Sequence, residues 1–377
     1  MDIPLYIHIP FCRKKCFYCD FYSIKYDAEL AGEYINSLVF QVKRLKDEGY
    51  KFSTVYIGGG TPSVLEPRLF ERFLKDLGLS GSSEVTLEAN PESLTEQKLK
   101  TARNSGVNRL SIGVQSFDDD ALNFLGRVHN SAQAVKAVES AYRIGFKNIS
   151  IDLIYGIPLQ RFDLWMKELA LAVTLPVKHI SFYSLTYEEG TLLSKKLSNK
   201  EFLPLSQEEE AKMYRRGVRF LESRGFYRYE ISNFSLKGFE CKHNLSYWAN
   251  LPYQGIGAGA VSFTDGVRRK FLPDVRQYTI EVKGDSSRGL FVEEERLSPL
   301  RHALETAVLN LRRRGGINFH EFTKDTGVDL LAVRSKEIHN LSKEKMLSVR
   351  KQKGRLSGTR LTDRGFLFYD YVCRKLL

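Results

Sequence analysis

The sequence predicts an α/β protein whose main body is a partial (β/α)6 barrel over residues 1–190, followed by accessory β elements over 191–290 and a C-terminal winged-helix-like domain over 291–377. Six short apolar or β-branched runs alternate with amphipathic stretches of helical length, the order of a parallel sheet with crossover helices. The unusual motifs "GGGTPS", "EANPES", "GVQSF" and "DLIYG" all fall at the C-terminal ends of those runs, the rim on which parallel α/β barrels gather their chemistry. The tail separates by charge: from Arg296 onward there are 18 Lys and Arg against 8 Asp and Glu, so +10 of the formal +12 belongs to the last segment.

The first strand is "LYIHI" from Leu5; "TVYIGG" from Thr54, "EVTLEAN" from Glu84, "RLSIGV" from Arg109, "NISIDLIYG" from Asn148 and "HISFYSL" from His179 supply the others. Helices are expected at Glu29 to Asp47, Pro67 to Leu77, Thr95 to Ser105, Ala132 to Ile144 and Leu164 to Leu175. Past Leu185, "SQEE" from Ser206 has the spacing of a capping box and opens a helix running to about Arg224. The stretch that follows, with "ISNFS", "ECKHNLSYW" and the glycine-rich "YQGIGAGAVSF", reads as strands and loops closing the open side of the barrel. A polar linker, "KGDSSRG", leads to helices near Pro299 to Arg313, His320 to Thr326 and Leu331 to Glu344, then the basic hairpin "LSVRKQKGRLSGTRLT" and a last helix.

With 377 residues, 42% of them hydrophobic and 27% charged, the chain has the composition of a globular protein with one large core and a smaller module. Met1 to Tyr6 carries an acidic residue and no basic one, and no stretch approaches the ~18 apolar residues of a spanning helix, so a cytoplasmic location is expected.

Three of the five cysteines stand within "HIPFCRKKCFYCDF", as Cys12, Cys16 and Cys19, while Cys241 and Cys373 are isolated. An odd count crowded at one end is not the disulfide framework of a secreted domain. The spacing C-x3-C-x2-C is too short for the two-pair zinc patterns, and no fourth Cys or His follows closely. Three thiolates from one loop suit a 4Fe-4S cluster with one iron lacking a protein ligand. A zinc loop completed by His8 or by Cys241 is the alternative that the spacing leaves open.

The loop, its place after the first strand and the rim motifs together resemble the radical S-adenosylmethionine (SAM) superfamily. The resemblance implies a radical SAM barrel in which SAM chelates the open iron. It implies SAM contacts from Gly59, Gly60 and Thr61 of "GGGTP", from Glu88, Gln115, Arg127 and Asp152 through "EANP", "GVQSF…GRVH" and "IDLIYG", and from Tyr6 beside the cluster. The residue types fit such roles. Acids accept from ribose hydroxyls and an ammonium, an Arg forks onto a carboxylate, and glycines admit a close backbone approach.

The resemblance covers the whole chain and narrows to the branch that holds oxygen-independent coproporphyrinogen III oxidases and HemW-type heme chaperones. The oxidase loop carries a further cysteine two residues after the third, where this chain has Phe21, and the oxidase has an extension before its first strand, whereas Leu5 already begins the strand here. "HNLSYW", His243 to Trp248, matches the H-N-x-x-Y-W motif of the chaperones. An imidazole is an axial iron ligand, and Tyr247 and Trp248 offer flat faces to a macrocycle. The expectation is therefore a heme chaperone holding a 4Fe-4S cluster, SAM and heme, with heme captured at the His243 loop near the barrel mouth and Cys241 a second candidate thiolate. Its implied partners are acceptor hemoproteins, among them respiratory ones, with peripheral membrane contact through the basic tail; coproporphyrinogen III oxidation is the alternative. Nucleic-acid binding is disfavoured, because "RRR" at Arg312 and "RKQKGR" at Arg350 come with no base-reading motif.

Overall fold

The computed structural model describes residues 2–284 and 290–377, so the last five residues of the expected "KGDSSRG" linker lie outside the described residues. Six parallel strands form the centre: β1 (Asp2–Ile9), β2 (Lys51–Gly59), β3 (Glu84–Ala89), β4 (Arg109–Gln115), β5 (Asn148–Tyr155) and β6 (His179–Ser184). Three shorter strands, β7 (Tyr227–Arg228), β8 (Asn233–Ser235) and β9 (Gln254–Ile256), complete a sheet of order β9-β1-β2-β3-β4-β5-β6-β8-β7. The accessory region was expected to close the open side. It adds strands at both edges: β9 pairs parallel to β1, and β8 pairs antiparallel to β6.

Helices α1 (Ala28–Asp47), α2 (Pro67–Leu77), α3 (Glu96–Asn104), α4 (Asp119–Leu125), α5 (Ser131–Ile144) and α6 (Phe162–Ala172) fill the crossovers. Their starts are written locally, as Asp27, Thr95, Asp118 and Asn130 each accept a backbone N–H from the first turn. After α7 (Leu192–Ser198), both halves of the capping box at Ser206 and Glu209 are formed at the head of α8 (Gln207–Ser223).

Side chains alternate along the barrel strands. Leu5, Ile7, Val55, Ile57, Val85, Leu87, Leu110, Ile112, Ile149, Ile151, Ile180 and Phe182 are buried in one core with the helices, each contributing about 1.5–3 kcal/mol by leaving water. The opposite face carries Tyr6, His8, Thr54, Tyr56, Glu84, Glu88, Arg109, Ser111, Asp152 and His179. The register pairs Tyr6 with Tyr56, Glu88 with Ser111 and Gly113 with Asp152. A lumen lined by polar groups is suited to a polar ligand and differs from the packed aliphatic layers of a closed barrel.

"ECKHNLSYW", expected as strand and loop, is instead the helix α9 (Lys242–Trp248), with Cys241 at its N-cap position. The carboxylate of Glu84, at the start of β3, accepts from the backbone N–H groups of Lys242 and His243. That tertiary cap satisfies the first turn of a helix that has no cap of its own.

The C-terminal segment has a separate apolar cluster including Leu304, Leu311, Phe319, Phe322, Leu341 and Phe366. Helices Pro299–Arg312, Phe319–Thr326 and Leu330–Lys343 pack with a three-stranded antiparallel sheet of Ile317–Asn318, Leu347–Gln352 and Arg355–Leu361, and helices Asp363–Leu367 and Tyr369–Leu376 follow. Two arginines join it to the barrel. Arg228 pairs with Asp363 at 2.9 Å and lies over the Phe366 ring, while Arg312 pairs with buried Glu230 at 3.2 Å and lies 4.2 Å over the Trp248 ring. No helix of the described residues is long and apolar enough to cross a membrane.

Candidate functional site

At the C-terminal rim a pocket is lined by Cys12, Cys16, Cys19, Gly59, Gly60, Thr61, Glu88, Gln115, Arg127 and Asp152, together with Tyr18, Asn90, Ser111 and Tyr183. All three loop cysteines, and every SAM-side residue expected from the sequence except Tyr6, meet there. Tyr6 is not among the lining residues; its hydroxyl is 2.9 Å from His8 Nδ1.

The cysteine loop is fixed by backbone bonds. Ile24 N–H donates to the Pro10 carbonyl and Tyr26 N–H to that of Cys12, while Gly60 and Thr61 donate to Ile9 and Phe11. Glycine is required where these chains cross. Gly59 has φ +112° and a Cβ there would meet the His8 ring at 2.6 Å; one at Gly60 would lie 2.8 Å from the Phe11 carbonyl and 3.0 Å from Cys12 Sγ.

The three cysteines are free and half-buried. Burial pushes the Cys12 thiol up and the Cys19 thiol up to about 11, so each is a neutral thiol until a cation takes the proton's place. Thr61 Oγ1 donates to Cys12 Sγ at 3.6 Å and Arg127 donates to Cys16 Sγ at 3.3 Å. Soft sulfur donors around one pocket, with a guanidinium at hand to offset thiolate charge, fit an iron-sulfur group. The zinc alternative needed His8 or Cys241 as its fourth ligand. His8 Nε2 is 2.9 Å from the Tyr22 carbonyl and its other nitrogen faces Tyr6; Cys241 is buried and donates to Glu84 at 3.4 Å. Among the described residues, no three His, Cys, Asp or Glu side chains converge on a single-ion site.

Among the residues expected to hold SAM, Glu88 accepts from the Tyr56 hydroxyl at 2.7 Å and from Gly59 N–H at 3.0 Å, and burial raises its carboxyl to about 7. Burial also raises Asp152, against hydrogen bonds from Ser181 and Ser111. Gln115 adopts a left-handed φ of 68° and accepts from Tyr183 at 3.0 Å. Arg127 donates to Asn90 Oδ1 and the Gly113 carbonyl, both at 2.8 Å, besides Cys16. Asn90 in turn donates to Thr61 at 2.9 Å. Asn90 and Tyr56 were not singled out from sequence. The first sits inside the quoted "EANP", and the second was legible only from the alternation along β2.

The H-N-x-x-Y-W residues lie at the opposite end of the barrel. His243 was expected near the mouth; it packs under the N-terminal ends of the strands, 1% exposed, because Glu84 caps its helix there. Its Nδ1 is 2.8 Å from Thr54 Oγ1 and its Nε2 is 3.0 Å from the Tyr247 hydroxyl, and burial with nearby Arg109 lowers it to about 3. Neutral imidazole is thus the form present, with both nitrogens engaged. Tyr247 packs on Tyr253 with ring centroids 4.6 Å apart, and one face of Trp248 is covered by Arg312. Cys241, expected as a candidate second thiolate, is pushed up to about 12 by burial and holds its proton. Arg109, Glu84, His179 and Tyr229 complete this floor: His179 Nε2 is 2.8 Å from the Tyr229 hydroxyl, which accepts from Cys241 N–H.

Comparison with known proteins finds the Radical SAM superfamily pattern over residues 6–167. A heme chaperone HemW of Lactococcus lactis subsp. lactis is 35% identical over 99% of this chain and 96% of its own length. A heme chaperone HemW of Synechocystis is 36% identical over 85% of this chain and 80% of its own. Among solved structures, the coproporphyrinogen III oxidase HemN from Escherichia coli superposes with a TM-score of 0.83 over 100% of this chain and 90% of that one, at 20% identity, a likeness of fold.

Proposed function

Because the chain belongs to the HemW family of the radical SAM superfamily, we propose that it is a heme chaperone that binds heme, a 4Fe-4S cluster and SAM and delivers heme to acceptor hemoproteins. The observation that carries this reading is the 35% identity to a heme chaperone along almost the entire length of both chains. Phe21 adds to it. The side chain at this position lines the cysteine pocket and is 63% exposed, an apolar group where the oxidases place a further thiol.

In this reading Cys12, Cys16 and Cys19 hold the cluster, which supplies an open iron for SAM. Glu88, Asp152 and Gln115 hold polar groups of SAM, the Gly59–Thr61 turn admits its backbone-like end, and Arg127 offsets the charge of the Cys16 thiolate. Heme is assigned to α9 and the space beside it. The donor set has the right chemistry in an imidazole and two aromatic rings, although His243 must give up Thr54 or Tyr247 before it ligates iron. A cavity of about 720 Å³ borders the end of that helix at Ala249–Pro252, with Leu251 and Phe322 as apolar walls and Arg313 and Arg350 as cations for propionates. The basic C-terminal segment is assigned to docking acidic acceptors or an anionic membrane surface.

The test is to incubate anaerobically reconstituted, reduced, SAM-loaded protein with coproporphyrinogen III and, separately, to titrate it with heme. The reading predicts saturable heme binding and no protoporphyrinogen IX; catalytic formation of protoporphyrinogen IX overturns it in favour of the oxidase.

A further inference from the structure

The lumen joins the floor to the rim through Tyr56. Its ring lies 5.1 Å, centroid to centroid, from that of His243, and its hydroxyl donates to Glu88 Oε1 at 2.7 Å. The Tyr6 ring flanks it at 6.2 Å. From there the path continues through the Tyr6 hydroxyl to His8 Nδ1 at 2.9 Å, and from His8 Nε2 to the carbonyl of Tyr22, three residues past Cys19, at 2.9 Å. Among the described residues, Glu88 receives two hydrogen bonds, from Tyr56 and from Gly59 N–H. The Gly59 donor is fixed by a backbone that cannot accept a Cβ, so Tyr56 is the movable one.

We propose that Tyr56 is a positioning residue that couples the two ends of the barrel, so that heme engaged by His243 and SAM held by Glu88 weaken each other's binding. The proposal rests on the heme chaperone reading above. His243 cannot ligate iron while it bridges Thr54 and Tyr247, and freeing the imidazole removes the surface on which the Tyr56 ring rests. Tyr56 then no longer holds its hydroxyl on Glu88, and the carboxylate loses half its donors. A hydrogen bond to a charged group, lost on one side only, changes affinity by about tenfold or more. Linkage makes the effect reciprocal, so SAM occupancy favours heme release by the same factor.

The experiment is a double-mutant cycle on SAM affinity, measured by equilibrium dialysis on the cluster-loaded full chain: wild type, Tyr56→Phe, His243→Ala and the double variant, with and without heme. The proposal predicts that His243→Ala, and heme in the wild type, each raise the SAM Kd about tenfold. In the Tyr56→Phe background neither has an effect, while the Soret titration of Tyr56→Phe with heme is up to about tenfold tighter than that of the wild type, because no Tyr56–Glu88 bond is left for heme to break. Equal responses in the two backgrounds overturn it, as does a wild-type SAM Kd that neither heme nor His243→Ala changes. Thr54→Val, which removes only the Nδ1 partner, replaces His243→Ala if the latter misfolds. The heme-free arm of the cycle stands by itself, so wild-type protein that binds SAM but no heme defeats the chaperone reading and leaves that arm to decide the coupling between His243, Tyr56 and the SAM site. Wild-type protein that binds no SAM overturns both.

Discussion

The two ends of the barrel are built from similar residue types with opposite accounting of their bonds. At the C-terminal rim, cysteines, carboxylates and Arg127 line an open pocket, and burial pushes the Cys12 and Cys19 thiols up. At the N-terminal floor, Glu84, Arg109, His179, Cys241 and His243 are at most 4% exposed; Glu84, His179, Cys241 and His243 have hydrogen-bond partners inside the protein, and Arg109 lies among them in the field of Cys241 and Glu84. A polar cluster that satisfies itself is structural in the state observed, and one that leaves its donors facing a cavity is prepared for a ligand. Motif membership alone does not separate the two, since the rim's "GGGTP" and the floor's "HNLSYW" are equally conspicuous in the sequence.

The largest expected effect is at the rim. Replacing Cys12, Cys16 and Cys19 together by alanine should abolish the iron-sulfur absorption after anaerobic reconstitution and leave the far-UV circular dichroism unchanged; retained cluster iron would move the cluster elsewhere. At the floor the order of effects reverses. Glu84→Ala removes the carboxylate that caps α9 through the Lys242 and His243 N–H groups, so urea denaturation should show a loss of about 2–3 kcal/mol while the reconstituted cluster content stays that of the wild type. Loss of cluster without loss of stability would blur the contrast between the ends.

Much of this contrast was invisible in the sequence for a physical reason. The strands, the capping box at Ser206 and the helix expected from Thr95 are local signals, and each formed where expected within two or three residues. The floor depends on contacts across the chain. Thr54 and His243 are 189 residues apart, and the cap on α9 comes from Glu84, 159 residues before the His243 N–H it accepts. No periodicity in "ECKHNLSYW" reports a cap supplied from another strand, which is why the segment reads as loop. The polar lumen, by contrast, was available as strict alternation in "TVYIGG" and "EVTLEAN", where Thr54, Tyr56, Glu84 and Glu88 share one face.

Smaller effects sharpen the comparison at the seam between loop and barrel. Gly59→Ala places a Cβ on the His8 ring at a residue with φ +112°, and a loss of about 2 kcal/mol in thermal or chemical denaturation is expected, with weakened cluster retention. Glu88 titrates at about 7 in the folded chain against 4.5 ordinarily. Between those values the folded state keeps a proton that the unfolded state has released, so its contribution to stability falls as pH rises, by at most about 1.4 kcal/mol per unit, and is level above 7. Glu88→Gln should therefore gain on the wild type from pH 5 to 7 in denaturation midpoints, and parallel curves would show that the carboxyl is not held up by burial.

The proposed heme chaperone function requires the chain to hold heme and to give it up. Its most direct measurement is transfer: purified protein is loaded with one equivalent of heme, freed of excess, mixed with an apo-hemoprotein acceptor, and the Soret band of the acceptor is followed alongside that of a His243→Ala variant. The account predicts a stable heme complex in the wild type, passage of heme to the acceptor, and weaker loading in the variant. Failure of the wild type to retain heme through the removal of excess would contradict it.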